Sequence, residues 1–182
     1  MKEMVYVFLA NGFEIVEALA PVDVLKRAGV AVCTVSITDD LVVESSNKTK
    51  VYADTTIDKI DFEKGEMLVL PGGLPGADNL AACDKLVEEL VKYNKAGKKV
   101  AAICAAPDVL GINGILEGKK ATCYPGFEDR LVGADYTGTK VEISDNVITS
   151  CGMGASIEFG LALANSLVGE KVSSDVAEKI RF

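Results

Sequence analysis

"KKVAAICAAPDVLG", residues 98–111, is the stretch that decides the fold. Its first half, 98–103, reads as a strand buried on both faces of a sheet. The apolar run stops abruptly at Cys104, and two alanines and Pro107 lead into a helical segment. Proline suits the first turn of a helix, where its missing N–H costs nothing. Strand, sharp turn and helix in that order make a nucleophile elbow, which lifts a reactive side chain above the sheet edge. Ala105 and Ala106 are the small neighbours that such a turn needs. The alternative is a structural cysteine buried in a tight turn.

The same alternation extends outward in both directions. Toward the N-terminus, "MVYVFLA" (4–10) has the continuous apolar character of a buried parallel strand. Residues 14–28 follow as a helix that stops at Gly29, and 30–37 is β-branched and strand-like. "LVVESS" and "TKVYADTTI" alternate in polarity and suggest an antiparallel excursion with one wet face. "EMLVL" (66–70) is a strand running into the turn "PGGLPG", and 84–96 is a helix pairing Leu86 with Leu90 and Val87 with Val91. Beyond the opening stretch, "KKATCY" (119–124) reads as a strand. "KVEISDNVITS" reads as two short strands about Asp145 and Asn146. A helix at 154–169 and a last one from Ser173 or Ser174 to Ile180 complete the chain. This order predicts one α/β sandwich, a mostly parallel sheet with helices on both faces.

The whole-chain properties narrow the function. With 182 residues and 49% hydrophobic content, the chain forms one domain with a sizeable core. Its net charge is -8 and it carries no Lys/Arg-rich run, which argues against nucleic acid or an anionic membrane as partner. No signal peptide or membrane-length apolar run is visible. Five cysteines without a CxxC pair fit a reduced cytoplasmic protein with free thiols. The cysteine spacings are wrong for zinc and histidine is absent, so no metal or cofactor is expected.

The absent histidine also raises the question of what activates Cys104. A thiol at a helix N-terminus faces backbone N–H groups, which favour the thiolate and predict a lowered pKa. The "PGG" turn at 71–73 offers Gly73, whose N–H joins that of Ala105 as a candidate oxyanion hole. On the first helix, Glu17 shares a face with Ala20, Pro21, Val24 and Ala28, while Asp23, Lys26 and Arg27 lie on the other side. A carboxyl group on that apolar face should have a raised pKa, and protonated it can donate to a thiolate or shuttle a proton. Glu14 reads as an ordinary exposed glutamate at the helix start.

Together these segments resemble the DJ-1/ThiJ/PfpI superfamily, in its DJ-1-like branch. The resemblance is carried by "NGFEIVEALAPVDVLKRAG" (11–29), "LVLPGGLPGADNL" (68–80), "VAAICAAPDVLG" (100–111), "KKATCYPG" (119–126) and "TSCGMGASIEFGLAL" (149–163). It implies a flavodoxin-like three-layer sandwich over residues 1–182, usually a homodimer. It also implies a reactive cysteine at Cys104, a protonated glutamate at Glu17, and N–H donors at Gly73 and Ala105. Gly72, Tyr124, Cys123 and Cys151 are the expected lining residues; both cysteines read equally as small apolar filler in strands.

The resemblance has departures. A histidine precedes the equivalent of Pro125 in relatives with glyoxalase activity, whereas Tyr124 stands here. The protease-like branch has a histidine directly after the cysteine, where this chain has Ala105, and the related glutamine amidotransferases need one too; both activities are rejected. Cys151 replaces an arginine of the DJ-1-like branch, which weakens anion binding. The functions implied are action on a small aldehyde or dicarbonyl substrate (glyoxalase or deglycase), or an oxidative-stress sensor or chaperone acting through Cys104. A thiamine-biosynthesis role follows from a family label alone. A dimer contact is expected around Glu14, Arg27 and 44–52.

Overall fold

The computed structural model describes residues 4–182. Eleven strands and six helices follow in chain order. They are β1 (Met4–Leu9), α1 (Ile15–Arg27), β2 (Ala31–Ser36), β3 (Val42–Glu44), β4 (Lys50–Tyr52) and β5 (Thr55–Thr56), followed by β6 (Gly65–Leu70), α2 (Gly76–Ala81), α3 (Asp84–Lys95), β7 (Lys99–Ile103) and α4 (Pro107–Ile112). The chain ends with β8 (Lys120–Ala121), β9 (Asp135–Tyr136), β10 (Val141–Ser144), β11 (Val147–Ser150), α5 (Ser156–Val168) and α6 (Glu170–Ile180). The main sheet has seven strands in the order β10-β11-β7-β6-β1-β2-β5, with every pairing parallel except β10 with β11. This is the expected flavodoxin-like α/β sandwich.

Both faces of the sheet are buried, which is why its strands read as continuous apolar runs. Along β1, Val5, Val7 and Leu9 enter one core, and Tyr6, Phe8 and Ala10 enter the other. Helices α1, α5 and α6 cover the first face through residues such as Leu25, Phe159 and Val176. Helices α2, α3 and α4 cover the second through Leu80, Leu86, Leu90 and Leu110.

Strand order reverses at β1, with β2 on one side and β6 on the other. Ligands of open α/β sheets bind beyond the carboxyl ends of strands at such a switch point. The turns after β1, β6 and β7 all open there.

Four expectations need correction. The segment 119–124 is a strand only at Lys120–Ala121, paired with β9 outside the main sheet. On its other edge the Lys120 N–H donates to Ser144 Oγ and the Thr122 N–H to Thr149 Oγ1, side chains rather than a second ladder. The excursion is antiparallel between β3 and β4, but its tail, Thr55–Thr56, returns to the main sheet parallel to β2. Helix α2 follows the 71–76 turn where no element was expected. Helix α6 begins at Glu170, because Gly169 at φ 87° ends α5 and opens the next helix at once.

Among the described residues, no helix is long and apolar enough to cross a membrane.

Candidate active site

Cys104 directly follows β7 and is held in a left-handed backbone conformation, φ 66°. Both of its peptide groups are tied down. Its N–H donates to the Ser150 carbonyl (2.9 Å) at the end of β11, and its carbonyl accepts from the Tyr124 N–H (2.9 Å). Outside glycine, such a conformation persists only where the surroundings over-determine it. The side chain is half-buried and packs toward the α1 face of the sheet.

Glu17 arrives from the other side of the crevice. Glu14 caps α1, with its carboxylate accepting from the Glu17 N–H (2.7 Å), so it is a helix cap as well as a surface glutamate. The cap fixes the first turn and aims Glu17 at the sheet, where it is 1% exposed. Asp23 and Arg27 pair on the outer face, as the helical spacing requires. The "PGG" turn binds this helix end twice. The Glu14 N–H donates to the Gly72 carbonyl (2.9 Å), and the Gly72 N–H donates to Glu17 Oε2 (3.0 Å).

Gly72 is glycine for a steric reason. A Cβ there would lie 2.6 Å from the Cys104 Cβ and 2.6 Å from Glu17 Oε2. The thiol and the carboxyl group thus converge on one point, close enough to influence each other's protonation. The backbone N–H groups of Ala105 and Gly73 lie near enough to favour the thiolate, and that of Met153 to favour the Glu17 carboxylate.

The electrostatics follow from burial. Desolvation pushes Glu17 up to about 7, and the nearby Glu14 charge adds to it, against the pull of Cys104 and the N–H groups of Gly72 and Met153. Desolvation pushes the Cys104 thiol up to about 12, and the charge of and hydrogen bond to Glu17 raise it further, against the N–H groups of Ala105 and Gly73. This corrects the expected lowering. The N–H groups do favour the thiolate, but burial beside a carboxylate outweighs them. Between about 7 and about 12 the dyad holds one negative charge and one proton. With that proton on oxygen, the sulfur is a thiolate favoured by the nearby N–H groups of Ala105 and Gly73.

Of the expected lining residues, Tyr124 stands at the mouth. A Cβ at Gly152 would lie 3.2 Å from its ring and 4.0 Å from Cys104 Sγ. Cys151 follows the residue that accepts the Cys104 N–H. Cys123 is fully buried in the core of the opposite face, as filler, with its thiol pushed up to about 11 by desolvation. Gly152 and Met153 were missed as site residues; the Gly-x-Gly run after β11 was their only signal. An open cleft of about 410 Å³ beside Asn11, Glu44 and Lys48 does not include Cys104. Among the described residues, no three His, Cys, Asp or Glu groups converge as a metal site.

Comparison with known proteins agrees with this architecture. The chain is similar to protein dj-1beta of Drosophila melanogaster, 34% identical over 98% of this chain and 96% of the relative. It is 39% identical to protein DJ-1 homolog A of Arabidopsis thaliana over 90% of this chain, but spans only 42% of that longer protein. It is 33% identical to glutathione-independent glyoxalase DJR-1.2 of Caenorhabditis elegans, over 88% of this chain and 87% of the relative. The solved structure of oxidized Toxoplasma gondii DJ-1 superposes with a TM-score of 0.95 at 33% identity, covering 99% and 98% of the two chains. Residues 3–166 match the DJ-1/PfpI family as a whole, and this chain is a member of it.

Proposed function

We propose that the protein converts small α-oxoaldehydes to 2-hydroxy acids through the Cys104–Glu17 dyad. One observation carries this reading: a buried carboxyl group and an elbow thiol converge on Gly72, whose N–H bonds the carboxyl, with the N–H groups of Gly73 and Ala105 near the sulfur. The similarity to a glutathione-independent glyoxalase supports it.

The sulfur adds to the aldehyde carbon, and the dyad's proton goes to the carbonyl oxygen, giving a hemithioacetal. The Gly73 and Ala105 N–H groups stabilise the oxygen as its charge develops. Glu17, now ionised, takes the hydrogen on that carbon as a proton and returns it to the neighbouring carbon, through an enediol. Water cleaves the resulting thioester, releasing the hydroxy acid and restoring the thiol. The net change is addition of one water, with one carbon oxidised and its neighbour reduced. Purified protein should form lactate from methylglyoxal. Lactate no faster than from Cys104→Ala would overturn the assignment.

A second reading, an oxidation sensor, rests on the same donors. Two equivalents of hydroperoxide would take the thiol to a sulfinic acid, releasing two waters, and protonated Glu17 would bond the product. The oxidized state of the Toxoplasma relative favours it. Mild peroxide should add two oxygens at Cys104, as read by peptide mass; equal addition at all five cysteines would contradict it. The reading includes a cytoplasmic homodimer: five free cysteines suit a reducing compartment, and exposed Val16 and Tyr52 lie on and near the expected dimer surface.

A further inference from the structure

We propose that the Tyr124 ring forms an apolar wall beside Cys104 that selects α-oxoaldehydes bearing a flat apolar substituent, such as an aryl group. This rests on the dicarbonyl reading above and names the substrate class within it.

The Tyr124 side chain is large and 51% exposed. Its N–H donates to the Cys104 carbonyl, which anchors its backbone beside the thiol.

Gly152 shows that the space between ring and sulfur is kept open. At φ 150° it lacks the Cβ that would sit 3.2 Å from the Tyr124 ring and 4.0 Å from Sγ. A side chain there would fill the gap between wall and nucleophile. An exposed aromatic ring beside a reactive atom offers offset stacking to a flat substituent. A hydrogen-bearing aldehyde such as glyoxal leaves the ring and its neighbours wet.

The test compares kcat/KM for phenylglyoxal and glyoxal in the wild type, Tyr124→Ala and Tyr124→Phe. A second arm needs no turnover: the rates at which N-phenylmaleimide and N-methylmaleimide label Cys104, read by peptide mass and normalised to their rates with glutathione. The wild type should favour the phenyl compound in both arms. Tyr124→Ala should lower each ratio about five-fold, the size of one lost aromatic contact, with the enzymatic change in KM. Tyr124→Phe should keep both. Ratios near one in the wild type, or unchanged in Tyr124→Ala, overturn the Tyr124 wall. If no aldehyde is turned over yet the maleimide preference depends on Tyr124, the dicarbonyl reading fails and the wall stands.

Discussion

Cys104 occupies a conformation in which a Cβ crowds the backbone at a cost of about 1–2 kcal/mol. Replacing it with glycine relieves that strain, whereas alanine retains it. Cys104→Gly should therefore be more stable than Cys104→Ala by roughly 1 kcal/mol, after allowing for the greater unfolded-state entropy of glycine. Urea unfolding checks this, and equal stability would mean the elbow is unstrained. The elbow was legible because strand, small residues and Pro107 are local signals. Glu17 was legible because an acid on the apolar side of a helix violates the pattern around it. The thiol's raised pKa was not, because it depends on how deeply two side chains 87 positions apart bury each other, which no local spacing encodes.

At the scale of elements, the site depends on how closely α1 approaches α5. Gly160 makes that approach possible: a Cβ there would lie 3.1 Å from the Pro21 Cα and 3.1 Å from the Val24 Cβ. Gly160→Leu should destabilise the protein by about 2 kcal/mol or more through overpacking. It should also blunt the pH 7 midpoint of Cys104 labelling, because pushing α1 outward withdraws Glu17 from the thiol; thermal unfolding and the pH profile of labelling measure the two effects. Long, buried elements such as β1, β7 and α3 were readable from periodicity. Helix α2 was not, because six residues after Pro75 carry too few turns to show one. The 119–124 segment misled for a different reason: the Thr122 N–H bonds the Thr149 side chain, so the ladder ends after two residues.

For the whole molecule, the dyad couples stability to pH. Glu17 binds its proton more tightly folded, up to about 7, than its ordinary value of 4.5. Its contribution is fully present below the unfolded value and is lost as pH rises through the folded one. Stability should fall from this group between about pH 4.5 and 7, by up to about 3 kcal/mol. Glu17→Gln should remove that loss, gaining on the wild type as pH rises from 5 to 8 in thermal melts.

The central claim is that Cys104 reacts as half of a dyad that shares one proton. The direct measurement is the pH dependence of Cys104 alkylation by iodoacetamide, in the wild type and in Glu17→Gln. The expected result is a rate that rises and levels off with a midpoint near pH 7 in the wild type, whereas Glu17→Gln, freed of the charge that raises the thiol, has no such plateau, keeps rising with pH and labels faster at pH 8. The same midpoint and rate in both proteins would contradict it.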